Sequence, residues 1–119
     1  PAPTGEAVSD NGIYYFVANW KDWAFETPFE RSEDKPGVYT LEVCMPFFHV
    51  GEFQIVRNKD WHQAFFPGAG GAVCGPDVNE ESFCWNLQGR KGQFFRIEFR
   101  RSWQDGVETK EISWERISK

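Results

Sequence analysis

Apolar and polar residues alternate along several short segments of the chain. The clearest alternation runs over residues 37–45 and again over residues 93–101. In both ranges every second residue is apolar, which is typical of a β-strand with one buried face. We expect the following side chains to form one core: Tyr39, Leu41, Val43, Phe53, Ile55, Phe95, Ile97, Phe99, Ile112 and Trp114.

Turn residues separate these segments from further strands. Asn58-Lys59-Asp60 predicts a hairpin over residues 52–66, and Asp105-Gly106 predicts the last hairpin turn because Asp-Gly tolerates positive φ. Residues 67–71 predict a loop, and Gly75-Pro76-Asp77 predicts a turn. No segment has a helical pattern, so we expect an all-β fold of about seven strands, an antiparallel β-sandwich of the immunoglobulin-like kind. The remaining predicted strands cover residues 12–19, 83–87 and 107–117.

The domain organisation follows from the same pattern. Residues 1–11 contain prolines and glycine without periodicity and predict a flexible leader. Residues 12–119 predict a single sandwich domain, because a chain of 119 residues can bury one two-layer core.

Composition and charge exclude several classes of partner. The net charge is -5 and no basic block occurs, so we expect no electrostatic binding of nucleic acid. No run approaches the roughly 20 apolar residues that span a bilayer, and we expect no membrane insertion. Aromatic residues make up 18% of the chain, which favours strands over helices.

The three cysteines leave at least one thiol unpaired, and none forms a CxxC motif. We therefore expect no structural disulfide and favour a reducing intracellular compartment, cytoplasm or plastid. Cys44 lies in an apolar strand, where we expect a small buried hydrophobe. His49 and His62 are too few for a histidine-rich metal site, so we expect no metal.

The sequence offers little support for catalysis. It has no Ser-His-Asp arrangement and no nucleophile elbow, and the glycines at 68–71 lack the Lys-Ser/Thr of a phosphate-binding loop. We expect no enzyme activity, no catalytic residues and no cofactor.

Two tryptophans stand where the first strand enters a polar turn. The strand from Gly12 ends near Asn19, and Trp20 and Trp23 follow three residues apart. Such rings either present a flat apolar surface to a ligand or cap the core of the sandwich.

The order of motifs resembles the starch- and glycogen-binding carbohydrate-binding modules, which include the glycogen-binding domain of AMP-activated protein kinase β subunits and the starch-binding domains of amylases. Residues 18–23 match that family's small-x-aromatic-x-x-Trp turn, and residues 37–41 match its Gly-x-Tyr strand. Residues 53–61 match its hairpin, polar turn and second tryptophan, and Pro67 follows. The match covers about residues 12–67, whereas residues 68–119 depart from the family's pattern.

The resemblance implies a non-catalytic module that binds α-glucan, either starch or glycogen. It makes Trp23 and Trp61 the two sugar-stacking rings, with Trp20 in the same turn. Gln54 stands where the kinase module has a lysine that contacts sugar hydroxyls, and the family's late asparagine corresponds to Asn86. The residues of the third wall of the site stay open.

An alternative remains, in which the sandwich is a structural or protein-interaction domain of a larger assembly and binds no sugar. Replacement of the lysine by Gln54 favours this alternative. So do four further phenylalanines that could form an apolar patch for a protein partner: Phe47, Phe48, Phe65 and Phe66. Exposure of Trp23 and Trp61 on one concave face would favour sugar binding.

Overall fold

Ten strands form in residues 9–46 and 50–118, the ranges that the computed structural model describes. No α-helix occurs in these ranges, and no helix in them has the length and hydropathy that crossing a bilayer requires. The strands are β1 (Tyr14–Ala18), β2 (Thr27–Pro28), β3 (Glu30–Arg31), β4 (Val38–Cys44), β5 (Val50–Arg57), β6 (Ala64–Pro67), β7 (Val73–Asp77), β8 (Trp85–Gln88), β9 (Phe94–Gln104) and β10 (Val107–Ile117).

The strands form two antiparallel sheets that pack as a sandwich. The first sheet has the order β2-β1-β5-β6-β7, with β8 also paired to β5, and the second has the order β10-β9-β4-β3. The predicted antiparallel β-sandwich is therefore confirmed, whereas an immunoglobulin-like arrangement stays a prediction. The described ranges have three strands more than the expected seven: β2 and β3 have only two residues each and give no periodic signal, and β7 lies where the sequence predicts a turn.

The core between the sheets is rich in aromatic rings. Tyr14, Phe65 and Phe99 are fully buried, with the Phe65 and Phe99 ring centroids 5.1 Å apart. Of the ten side chains predicted for this core, seven are buried and three are half-buried and pack against it: Leu41, Ile112 and Trp114. The alternation therefore identifies the inward face of the long strands correctly.

A second, smaller apolar cluster lies on the outer face of the first sheet. Val17 and Val56 are buried there, although each follows a residue that points into the main core. Both valines are covered because four partly buried aromatic side chains pack over them: Tyr15, Trp23, Phe25 and Phe66. The first sheet is consequently packed on its inner face by the second sheet and on part of its outer face by these aromatic side chains. The outer face therefore has aromatic residues around the buried valines.

Two local predictions are wrong. Residues 73–77 form strand β7, because antiparallel pairing with β6 outweighs the turn signal of Gly75-Pro76-Asp77. Pro76 is tolerated because β7 is the edge strand of its sheet. Cys44 is exposed rather than buried, since it shares the outward parity of Glu42.

Asp10 joins the two sheets at one end of the sandwich. Its carboxylate accepts hydrogen bonds from the Tyr14 hydroxyl at 2.8 Å and from Arg57 Nε at 3.0 Å. Arg101 Nη1 on the opposite sheet lies 3.3 Å from the same oxygen, and Arg101 Nε donates to Glu108 at 2.7 Å. The sequence places Asp10 in the leader, whose residues 1–8 lie outside the described ranges.

The charges of this cluster depend on one another. Partial burial opposes ionisation of Asp10, but hydrogen bonds from the Gly12 N–H and the Tyr14 hydroxyl, together with the Arg57 charge, lower the pKa of Asp10 below its ordinary value. Burial raises the pKa of Tyr14 to about 12. Arg101 is only 7% exposed, and it stays charged because Glu108 and Tyr14 offset its burial.

Candidate binding groove

A groove of about 530 Å³ lies on the outer face of the first sheet. Three of the residues that the sequence assigns to a sugar site line it, namely Trp23, Gln54 and Trp61. The other lining residues are Glu52, Val78, Asn79, Ser82 and Cys84. The groove therefore combines side chains from the turn after β1, from β5, from the turn after β5 and from the segment before β8.

Strand β5 forms the floor of the groove. Gln54 lies between the part of β5 that pairs with β8 and the part that pairs with β6. Its side chain is only 6% exposed, and its Nε2 donates to Cys84 Sγ at 3.6 Å. Its Oε1 has no hydrogen-bond partner among the described residues. A buried acceptor without a partner is unfavourable, so this oxygen favours a ligand or solvent molecule that brings a donor.

The turn after β1 sends its two tryptophans to opposite faces of the sheet. A short 3-10 helix at Asn19–Lys21 is followed by Asp22 and Trp23 with φ of 53° and 56°. The Trp23 N–H closes the turn on the Ala18 carbonyl at 3.0 Å. As a result Trp23 packs on the outer cluster and lines the groove.

Trp20, which the resemblance places in the sugar site, packs on the main core instead. Its ring meets Phe16 edge-on with centroids 5.6 Å apart. It also lies over Gly51, where the ring occupies the space that a Cβ atom would take. Trp20 is not among the residues that line the groove.

Trp61 stands at the start of a 3-10 helix, Trp61–Gln63, directly after the β5 turn. Asp60 caps this helix: its Oδ1 accepts the His62 N–H at 3.0 Å and its Oδ2 accepts Gln63 Nε2 at 3.1 Å. These two hydrogen bonds lower the pKa of Asp60, so the cap stays charged near neutral pH. Trp61 is 40% exposed, which makes it the more accessible of the two rings.

The segment 78–84 forms the third wall, which the sequence left open. Asn79 closes it as a loop, because its Nδ2 donates to the Phe83 carbonyl at 2.8 Å and its Oδ1 accepts the Phe83 N–H at 3.0 Å. Ser82 turns the chain with φ of 54°. From the sequence, this segment is predicted to be a polar, exposed connection. The one sequence signal for a closed turn is an asparagine, Asn79, four residues before Phe83.

Asn86 lies just outside the groove. It pairs with Glu52 across β5 and β8, so both side chains are on the outer face of the sheet. Asn86 is exposed and does not line the groove, where Asn79 is the asparagine instead.

Glu52 is a groove residue that the sequence reasoning missed, because an exposed strand glutamate looks like ordinary surface. Among the described residues that line the groove, Glu52 is the charged one. Burial raises the pKa of the Cys84 thiol, the Gln54 hydrogen bond opposes this, and the Glu52 charge raises the pKa further. Cys84 is therefore a neutral thiol near neutral pH, and Glu52 sets the electrostatic sign of the floor.

The apolar patch expected from four phenylalanines is not assembled in the described ranges. Phe47 and Phe48 lie outside those ranges, and Phe65 is fully buried in the core. Phe66 is on the outer face, where it stacks with Phe83 at a centroid distance of 6.5 Å.

The described residues contain no group of three or more side chains able to hold a metal ion, and the three cysteines are free thiols. Comparisons with protein-family models, with curated protein sequences and with solved structures found no match.

Proposed function

We propose that this chain is a non-catalytic module that binds α-glucan in the groove. The observation that carries the proposal is that Trp23, Gln54 and Trp61 line one groove, although they are far apart in sequence. Two indole rings and one side-chain amide on the outer face of a rigid sheet match what a chain of glucose units requires.

The chemistry of the ligand fits these groups. A glucose unit has an apolar face of C–H groups, which packs favourably on the flat face of an indole. Its hydroxyl groups can donate to Gln54 Oε1, a buried acceptor without a partner in the part of the chain that the structure describes. The groove volume of about 530 Å³ lies within the range of known small-molecule sites, roughly 300–1,000 Å³.

We expect the affinity to be modest. The groove is open to solvent, and a flexible glucan loses conformational freedom when it binds. Binding free energies of about -4 to -6 kcal/mol, which correspond to millimolar to tens of micromolar dissociation constants, are therefore expected.

Calorimetric titration with maltoheptaose and β-cyclodextrin, together with retention on insoluble starch, tests the proposal. Trp61→Ala should weaken binding by at least tenfold and lower the free energy of unfolding by at most about 1 kcal/mol, since the ring is 40% exposed and loses its contact with the Phe25 ring. Trp23→Ala should weaken binding similarly but also lower the free energy of unfolding by about 1–3 kcal/mol, because Trp23 covers Val17 and Val56.

A matched control is Trp103→Ala, which removes a partly buried tryptophan from the second sheet, away from the groove. It should leave sugar binding intact. If the folded wild type binds neither oligosaccharide at millimolar concentration, the proposed function is wrong. If Trp61→Ala binds as well as the wild type, the groove is not the site.

A protein-interaction surface is the second candidate, and one observation favours it. Val78, which lines the groove, and Phe83, which follows in the third wall, are large apolar side chains that are 43% and 50% exposed. If a protein binds through this surface, Phe83→Ser should abolish protein binding and leave glucan binding unchanged. Trp61→Ala, by contrast, should reduce glucan binding.

A further inference from the structure

The groove has one sign of charge. Glu52 lies on β5 directly after the residue that faces Trp20 and two residues before the buried Gln54. Its side chain is exposed on the outer face. Its backbone N–H donates to Asn19 Oδ1 at 3.1 Å, which holds this part of β5 against the tryptophan turn. No lysine, arginine or histidine is among the described residues that line the groove.

The acidic character continues beyond the third wall. A neighbouring hollow shares Val78 and Asn79 with the groove, and three carboxylates line it: Asp77, Glu80 and Glu81. In the turn before Trp61, the Lys59 ammonium lies 5.5 Å from the centre of the Tyr15 ring. His62 Nδ1 lies 3.3 Å from Asp60 Oδ1, so this imidazole is already beside a carboxylate. A negatively charged ligand in the groove therefore meets Glu52 at close range.

We propose that Glu52 makes the groove selective for uncharged glucan and against glucan that carries phosphate groups. The proposal rests on the proposed function and adds the charge of the ligand to it. A carboxylate accepts hydrogen bonds from sugar hydroxyls, and these charge-assisted bonds are stronger than those to a neutral oxygen. The same carboxylate repels a phosphate monoester, which carries about -1.5 to -2 charges at neutral pH.

The two effects act together at the floor. Gln54 supplies a neutral acceptor through Oε1, and Glu52, two residues earlier on the same strand, points to the same face. A neutral sugar with several hydroxyl donors can satisfy both residues. A phosphate ester brings acceptor oxygens to a floor that already presents acceptors, so it gains few hydrogen bonds and suffers charge repulsion.

The experiment compares maltoheptaose with the same oligosaccharide carrying a phosphate monoester, titrated into the full chain at low salt. We expect the phosphorylated form to bind the wild type about tenfold more weakly, as for a double negative charge within a few ångströms of a carboxylate in water. Glu52→Gln should reduce this difference to about twofold, because the amide keeps the shape and loses the charge. Glu52→Lys should reverse the preference. Raising the salt concentration should diminish both the wild-type difference and the reversed preference of Glu52→Lys, and it should change the small difference in Glu52→Gln least.

Glu115→Gln is the matched control, since Glu115 is an exposed glutamate on β10 of the other sheet. It should leave the tenfold difference unchanged. Equal binding of the two oligosaccharides by the wild type would overturn the selectivity and leave the proposed function intact. The same discrimination in Glu52→Gln as in the wild type would show that another group excludes phosphate and would overturn the role of Glu52. Absence of binding to unmodified maltoheptaose would instead reject the proposed function.

Discussion

The rings of Phe25 and Trp61 pack against each other, with centroids 5.4 Å apart and planes at 45°. Phe25 belongs to the outer cluster and also meets Tyr15 edge-on at 6.0 Å. Trp61 is therefore supported from below by a ring that is itself held by the sheet. This support explains how an exposed indole at a turn can keep one orientation.

The first prediction concerns this support. Phe25→Ala should weaken glucan binding by about 1 kcal/mol, since an aromatic pair contributes roughly 0.5–1.5 kcal/mol and Trp61 would lose its orientation. Calorimetric titration with maltoheptaose measures the change. Phe25→Tyr should retain binding, because it keeps the ring. Unchanged affinity in Phe25→Ala would mean that Asp60 and its helix alone position Trp61.

Adjacent arginines on β9 allow a second, internally controlled prediction. Arg101 is buried between Asp10, Glu108 and Tyr14, whereas Arg100 is partly exposed and pairs with Glu98 and Glu111. Arg101→Met should cost about 3 kcal/mol of unfolding free energy, because it leaves Glu108 without this cation and leaves Asp10, among the described residues, with Arg57 alone.

Arg100→Met should cost less than about 1 kcal/mol, as expected for surface ion pairs. Urea unfolding of both variants measures the difference. Equal effects of the two substitutions would show that the Arg101 cluster is no more stabilising than an ordinary surface pair.

The third prediction concerns pH. The pKa of Asp10 is lower in the folded protein than its ordinary value of 3.8, so its contribution to stability is present above that value. This contribution is lost as the pH falls through the lowered pKa of the folded state. The wild type should therefore be more stable than Asp10→Asn near neutral pH, and the two should converge below about pH 4.

Thermal unfolding of both proteins between pH 2 and pH 7, in steps of about half a unit, follows this convergence. Asp105→Asn, in the exposed β9–β10 turn, is the control and should track the wild type throughout. A stability difference that persists unchanged at the lowest pH would contradict a role for the Asp10 charge.

The sequence predicts the long strands well because their burial is one-sided. In β9 and β10 the core lies on one face only, so alternation alone assigns the inward residues. It fails where both faces are covered, as at Val56, and where pairing decides the structure, as in β7. Local alternation of apolar and polar residues predicts neither the packing of side chains over the outer face nor the strand with which a segment pairs.

The groove shows the same division. Trp23, Gln54 and Trp61 could be chosen from the motif order, because they lie on elements with strong local signals. Trp20 could not be separated from Trp23, since the left-handed turn at Asp22 decides which indole faces outward. Glu52 and the wall from Val78 to Cys84 depend on tertiary packing, and their residue types alone are ordinary for a polar surface.

Asn79 holds the third wall together from within, since both of its side-chain hydrogen bonds go to Phe83 and its carbonyl accepts the Ser82 N–H in the same loop. The wall therefore needs few bonds from the rest of the sandwich to keep its shape. Such a loop can be exchanged for one of different length or composition without shifting the register of β5 or β8. Substitutions in this loop can then change ligand preference without changing the stability of the sandwich. The loop is therefore the best place to engineer a new specificity into the protein.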